Sequence, residues 1–191
     1  MTGARLRSVA WALGLLSLAS CGPPPPHAIP TCPPNISGDP LILMAQAVPS
    51  AAYVPCIQEF PAGWNFGGMN IESGRAEFWL YSDRAGERAV TVLLTEGCDV
   101  SGAVQVPTEA DEAGLARYEE PRALPPRFVG DRYYVFPGGC ITYRFAFARD
   151  ASFVEAVEAT EALSFIARAV GVEELRKDGL DLCGAGVDCP G

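Results

Sequence analysis

Six cysteines spread along the chain (Cys32, Cys56, Cys98, Cys140, Cys183 and Cys189) constrain the fold more than any other feature of the sequence. A seventh, Cys21, stands apart at the end of an N-terminal leader. An even set of cysteines behind an export leader predicts disulfides, because the space outside the cytoplasm is oxidising. Many connectivities are open to six cysteines, and pairing of sequence neighbours is expected here: Cys32–Cys56, Cys98–Cys140 and Cys183–Cys189. On the chain-entropy model each closed loop stabilises the fold by roughly 2–4 kcal/mol. The last loop carries Gly184, Ala185 and Gly186, small enough for the chain to turn back on itself. A zinc centre fits poorly, since the sequence has no Cys-x-x-Cys and its single histidine is His27. The near-equal steps from Cys56 to Cys98, Cys140 and Cys183 suggest a repeat, but flanks such as Val54-Pro55-Cys56-Ile57 and Glu96-Gly97-Cys98-Asp99 do not match.

The leader begins with a basic stretch carrying Arg5 and Arg7, followed by an apolar run from Val9 to Ala19. That run falls well short of the roughly 20 residues a membrane-spanning helix needs. It closes on Leu18-Ala19-Ser20-Cys21: an aliphatic residue, two small residues and a cysteine. In this segment alone the chain resembles bacterial lipoproteins, whose lipobox has this form. The resemblance implies that residues 1–20 are a removed signal peptide. It also implies that Cys21 receives a diacylglyceryl group and becomes the first residue, with palmitate-type acyl chains holding the protein at the membrane. Buried acyl methylenes contribute about 0.8 kcal/mol each, so two chains anchor stably. The expected location is the extracytoplasmic face of the cell membrane.

Residues 21–31 read as a tether. Pro23 to Pro26 favour the extended polyproline II helix, about 3.1 Å per residue, which would hold a domain roughly 30 Å above the lipid. Residues 32–191 then form a single domain of ordinary size. The formal net charge of −9 becomes −11 when Arg5 and Arg7 leave with the leader. Phosphate backbones would be repelled, so no nucleic-acid partner is expected.

Periodicity gives a coarse fold. Asp39 caps and Pro40 opens a short helix through Val48, ended by Pro49. Arg75 to Tyr81 alternates, with Ala76, Phe78 and Leu80 on one face and Glu77, Trp79 and Tyr81 on the other. Turns at 72–74 and 82–86 flank it, and Ala89 to Thr95 is the next strand. Residues 99–130, acidic and interrupted by Pro107, Pro121, Pro125 and Pro126, read mostly as loop. Arg132 to Phe136 and Cys140 to Ala148 form a hairpin around Pro137-Gly138-Gly139. Ser152 and Glu155 have capping-box spacing. Val154, Val157, Leu163, Ile166 and Val170 continue as a helix that Gly171 closes. The expected class is α+β: an antiparallel sheet of about four to five strands, with a C-terminal helix on the face of Ile141, Tyr143, Phe145 and Phe147.

No catalytic constellation emerges. Ser/His/Asp and Cys/His chemistry needs an imidazole inside the domain, and His27 sits in the tether. There is no phosphate-binding Gly-x-x-x-x-Gly-Lys loop and no Asp-x-Asp-x-Asp-Gly calcium loop, so neither cofactor nor metal is expected. Adjacent Glu119 and Glu120 would point to opposite faces of an extended segment, and Glu109, Asp111 and Glu112 read as solvated loop charge. The one candidate binding constellation is Glu77, Trp79, Tyr81 and Arg144. These share the sheet face away from the helix and offer aromatic rings beside a carboxylate and a guanidinium to a sugar or peptide. Burial of Trp79 under residues 32–60 is the structural alternative. The chain therefore reads as a membrane-anchored, non-enzymatic domain that binds an envelope polymer or another exported protein. A carboxylate-dependent hydrolase of an envelope glycan and a structural subunit of an envelope complex are the alternatives.

Overall fold

The computed structural model describes residues 29–32, 40–107, 114–124, 127–148, 151–177, 179, 182 and 184. The leader, Cys21, the proline run, the Asp39 cap and the Cys183–Cys189 pairing lie outside them.

Helix α1 (Pro40–Ala47) is followed by β1 (Tyr53–Ile57), β2 (Trp64–Glu72), β3 (Arg75–Ser82) and β4 (Gly86–Thr95). Then come β5 (Val104–Val106), β6 (Ala116–Ala123), β7 (Val129–Phe136), β8 (Gly139–Ala146), α2 (Phe153–Ala162), β9 (Leu163–Ala167) and α3 (Arg168–Lys177). Seven strands form one antiparallel sheet in the order β2-β3-β4-β8-β7-β6-β5, and β1 pairs β9 in a separate two-stranded sheet. The sheet is therefore larger than the four to five strands expected. The excess comes from β2, over residues 64–72 where Gly67-Gly68 interrupts the alternation, and from residues 99–130, which hold β5 and β6 and the start of β7 rather than mostly loop. Pro121 hid β6 because proline cannot donate to a ladder. In the structure β5 pairs only with Arg117 to Glu119, so β6 is already an open edge at Pro121 and no donor is needed there.

Alternation places the core as the sequence indicates. Ala76, Phe78, Leu80, Val90, Val92, Leu94, Ile141, Tyr143 and Phe145 are buried on one sheet face. Leu41 and Met44 of α1, Val48 just after it, and Ala156 and Ala159 of α2 pack into the same core. The tight β7–β8 turn depends on Gly138, at φ +74°, where a Cβ would lie 1.9 Å from the Ser50 carbonyl oxygen. Among the described residues no helix is long and apolar enough to cross a membrane.

Two of the three expected disulfides lie within the described residues and both form. Cys32–Cys56 ties the N-terminal segment to β1, and Cys98–Cys140 ties the β4–β5 connection to β8. Pro30 is fully buried, its carbonyl accepts from Ile57 N, and Thr31 bridges Ile57, so the folded domain reaches back into the last residues of the expected tether.

The expected C-terminal helix is shorter and rotated. The capping box forms, with Ser152 accepting from Val154 N and Glu155 accepting from Ser152 N, but the helix ends at Ala162. Leu163 is extended (φ −107°, ψ 141°) and opens β9, which supplies the ladder partner of β1. Apolar residues in 163–167 suit either period, and the need to pair β1 decides for a strand. Gly171 sits inside α3 instead of closing the preceding helix. The buried side of α2 is Glu155, Ala156, Ala159 and Ala162, whereas Val154 and Val157 are 58% and 42% exposed.

Candidate functional site

The rotation of α2 opens a cleft. Arg84, in the β3–β4 turn, places Nε 2.9 Å from Glu155 Oε1 and Nη2 2.8 Å from Glu158 Oε2, the oxygen to which Trp64 Nε1 also donates. These pairs fix which side of the helix meets the sheet. Burial alone would raise the Glu155 carboxyl, but hydrogen bonds from Ser152 and the charge of Arg84 outweigh it and hold it below its usual range. The small alanine stripe goes inward, and Phe153, Val154 and Val157 are left outside.

Between α2 and the β6–β7–β8 part of the sheet lies a cleft of about 520 Å³. That volume is typical of small-molecule sites. Part of its wall is apolar: Phe128 and Phe145 on the sheet side, Phe153, Ala156 and Val157 from α2, and Leu124 just after β6. Leu124, Phe153 and Val157 are 74%, 61% and 42% exposed.

Its polar part comes from strand register. Glu119 lies opposite Arg132 and Arg117 opposite Tyr134, so Arg117, Glu119 and Arg132 share the face beneath α2. Arg132 Nε donates to Glu119 Oε1 at 2.9 Å, and Arg117 Nη2 donates to the same oxygen. Arg132 Nη1 also donates to Thr160 Oγ1 of α2 at 3.0 Å, and its guanidinium carbon lies 5.8 Å from the Phe145 ring centre. Arg117 Nε is buried with no acceptor among the described residues. For Glu119, burial pushes the carboxyl up, but the Arg117 hydrogen bond and the charges of Arg132 and Arg117 prevail and lower it. An anchored cationic end and an apolar wall together suit binding of a small amphipathic molecule. Among the described residues no group of three or more His, Cys, Asp or Glu side chains could hold a metal.

The four residues singled out from sequence share the opposite sheet face but do not form one cluster. Trp79 pairs across with Thr91, Thr91 with Arg144, and Arg144 with Asp131. Trp79 and Arg144 thus stand two strands apart, about 10 Å. Arg144 Nε lies 3.4 Å from Asp131 Oδ1, while Glu77 faces Arg75 and Arg88. Trp79 is half-buried, though not by α1, which packs on the other face with Phe78. Its ring lies against Gly67 and Gly68, where Cβ atoms would come within 2.4 and 2.6 Å of it, and the Arg88 guanidinium sits 4.1 Å from its centre. A hollow of about 450 Å³ beside it is lined by Phe66, Gly67, Trp79, Tyr81, Glu87 and Arg88.

Glu119 and Glu120 do face opposite ways. Glu120 and Asp131 both accept from the Tyr133 hydroxyl, at 3.0 and 3.3 Å. Asp131 also accepts from Arg122 Nη2 at 2.8 Å. Burial first, then Glu120 and Asp131, push the Tyr133 hydroxyl up to about 12. Glu109, Asp111 and Glu112 lie outside the described residues. The cleft residues were missed because their signal is the alternation of Arg117, Glu119 and Pro121 against Tyr118, Glu120 and Arg122, masked by charge and proline.

No protein-family model, curated protein or solved structure matches the chain.

Proposed function

We propose that this chain is an exported, lipid-anchored domain that binds an envelope component without catalysis, and that the ligand enters the cleft beneath α2. The leader and the Leu18-Ala19-Ser20-Cys21 lipobox support export and anchoring at Cys21. The observation that carries the binding reading is the clustering of exposed Leu124, Phe153 and Val157 around one cleft that also holds Arg117 and Arg132. Exposed apolar side chains gathered round a concavity, rather than scattered singly, mark interaction sites. A second reading seats a sugar or peptide on the outer sheet face at Glu77, Trp79, Tyr81 and Arg144. The hollow beside Trp79 and the exposed Tyr81 favour it, although a ligand there must displace Arg88 to reach the ring.

Native mass spectrometry of the full chain released from its producing membrane tests the first reading. A small-molecule adduct is expected on the wild-type protein and is expected to be lost in Val157→Glu, which places a charge on the exposed wall without touching the core. An adduct retained in Val157→Glu but lost in Trp79→Ala would move the site to the outer face.

A further inference from the structure

We propose that the cleft takes a single-chain amphiphile with an anionic head, a carboxylate or a phosphate, an inference that rests on the cleft being the ligand site. Two guanidinium groups converge there on one oxygen of one carboxylate, so Arg117 and Arg132 carry two positive charges against the single charge of Glu119. The positive excess is confined to the sheet floor beneath α2, where register gathers Arg117, Arg132 and Glu119. Each guanidinium has five N–H donors in a fixed fork. Glu119 and Thr160 accept two from Arg132 and Glu119 accepts one from Arg117, while Arg117 Nε is buried without an acceptor among the described residues. A buried donor without a partner calls for an explanation, and an arriving oxyanion drawing the Arg117 fork toward it supplies one. Glu120, Asp131 and Glu161 also border the cleft: Glu120 and Asp131 turn their carboxylates to the opposite sheet face, onto the Tyr133 hydroxyl and Arg122, and Glu161 is exposed to solvent, where salt screens it.

An apolar strip of the wall leads outward. From Arg132, stacked near Phe145, the lining passes to Phe128, then to Phe153, Val157 and Leu124 at the open side. A hydrocarbon chain laid along this path covers side chains that water now touches, while its head reaches the guanidinium pair. The apolar strip does not suit a sugar, which has no long apolar face, and the guanidinium pair repels a cationic head at the inner end.

The test uses the full chain in lipid nanodiscs, a photoreactive dodecanoate, and its methyl ester as an uncharged probe with the same tail. Adducts are mapped by peptide mass spectrometry. Labelling is expected on Leu124, Phe153 and Val157, at least tenfold stronger with the acid than with the ester, in line with roughly tenfold or more for a charge-assisted pair. Unlabelled dodecanoate and dodecyl phosphate should compete, and dodecyltrimethylammonium should not. Arg132→Gln should bring acid labelling down to the level of the ester, with far-UV circular dichroism reporting that the fold is intact. If that variant fails to fold, Arg117→Gln carries the same expectation. Equal labelling of the cleft by acid and ester would overturn the anionic head while leaving the cleft as the binding site. Absence of adducts on all three residues with both probes would overturn the inference and the cleft reading together.

Discussion

Removing the Cys98–Cys140 bridge by a Cys98→Ala/Cys140→Ala double substitution tests how far this fold depends on its staples. The bridge joins residues 42 apart in sequence, and its Cα atoms lie 5.9 Å apart. Loop-closure entropy for a loop of that length corresponds to about 3.9 kcal/mol at 25 °C. The Cys32–Cys56 bridge spans 24 residues and corresponds on the same model to about 3.4 kcal/mol. Because the two loops do not overlap, the losses should add within roughly 0.5 kcal/mol. Urea unfolding of the full chain and of both double variants, read by far-UV circular dichroism, measures each loss. A lengthened unfolded chain should also raise the denaturant slope. In a thermal melt the Cys98–Cys140 loss should lower Tm by about 8–16 °C, taking roughly 2–4 °C per kcal/mol for a domain of this size. A loss below about 1 kcal/mol with an unchanged native spectrum would refute the loop-entropy reasoning for this bridge.

Further perturbations follow from individual contacts. Glu155→Gln removes the charge that pairs with Arg84 while keeping most of the capping geometry; a loss of about 1–2 kcal/mol is expected by urea titration, and no loss would mean that α2 is oriented by packing alone. Gly67→Ala should push Trp79 off the sheet, cost about 1–3 kcal/mol and red-shift its emission in a Trp64→Phe background; unchanged emission would contradict the tight seat. Glu119 and Glu155 have lowered folded pKa values, so the stability they contribute is present above the unfolded value of 4.5 and lost as pH falls through the folded values. Glu119→Gln should therefore flatten the acid side of a Tm-against-pH profile, and an unaltered slope would exclude the ion pairs as its cause. Tyr133 has the opposite sign: raised from 10.0 to about 12, it contributes stability that is complete below pH 10 and lost as pH rises toward 12. Ultraviolet difference titration should show the same number of phenolates near pH 11 in wild type as in Tyr133→Phe, and one more in wild type would contradict the raised value.

Much of the core was legible because its signals are local. Alternation in Arg75 to Tyr81 needs no partner to be read, and the hairpin from β7 to β8 announces itself at Pro137-Gly138. Ser152 and Glu155 begin α2 as their spacing requires. What was not legible depends on distant partners. Leu163 to Ala167 became a strand because β1 needs a neighbour, and no residue within the segment says so. Val154 and Val157 look like a buried helical stripe, yet Arg84, more than seventy residues earlier, turns the alanines inward instead. The cleft is a consequence of these two decisions and of a strand, β6, whose proline is tolerated only because β5 is short. On the outer face, alternation put Glu77, Trp79 and Tyr81 together correctly. The register shifts at Phe66/Gly68 and Leu80/Ser82, beside which Gly67, Gly68 and Arg88 enclose the indole, leave no mark in hydropathy.

We propose an exported, lipid-anchored, disulfide-stapled binding domain. Its most direct test is the intact mass of the protein extracted from its native membrane, with and without reduction before alkylation. The expected species is a chain that starts at Cys21 and carries a diacylglyceryl adduct, with six alkylatable thiols appearing only after reduction. A chain retaining residues 1–20, an unmodified Cys21, or thiols that react without reduction would contradict it.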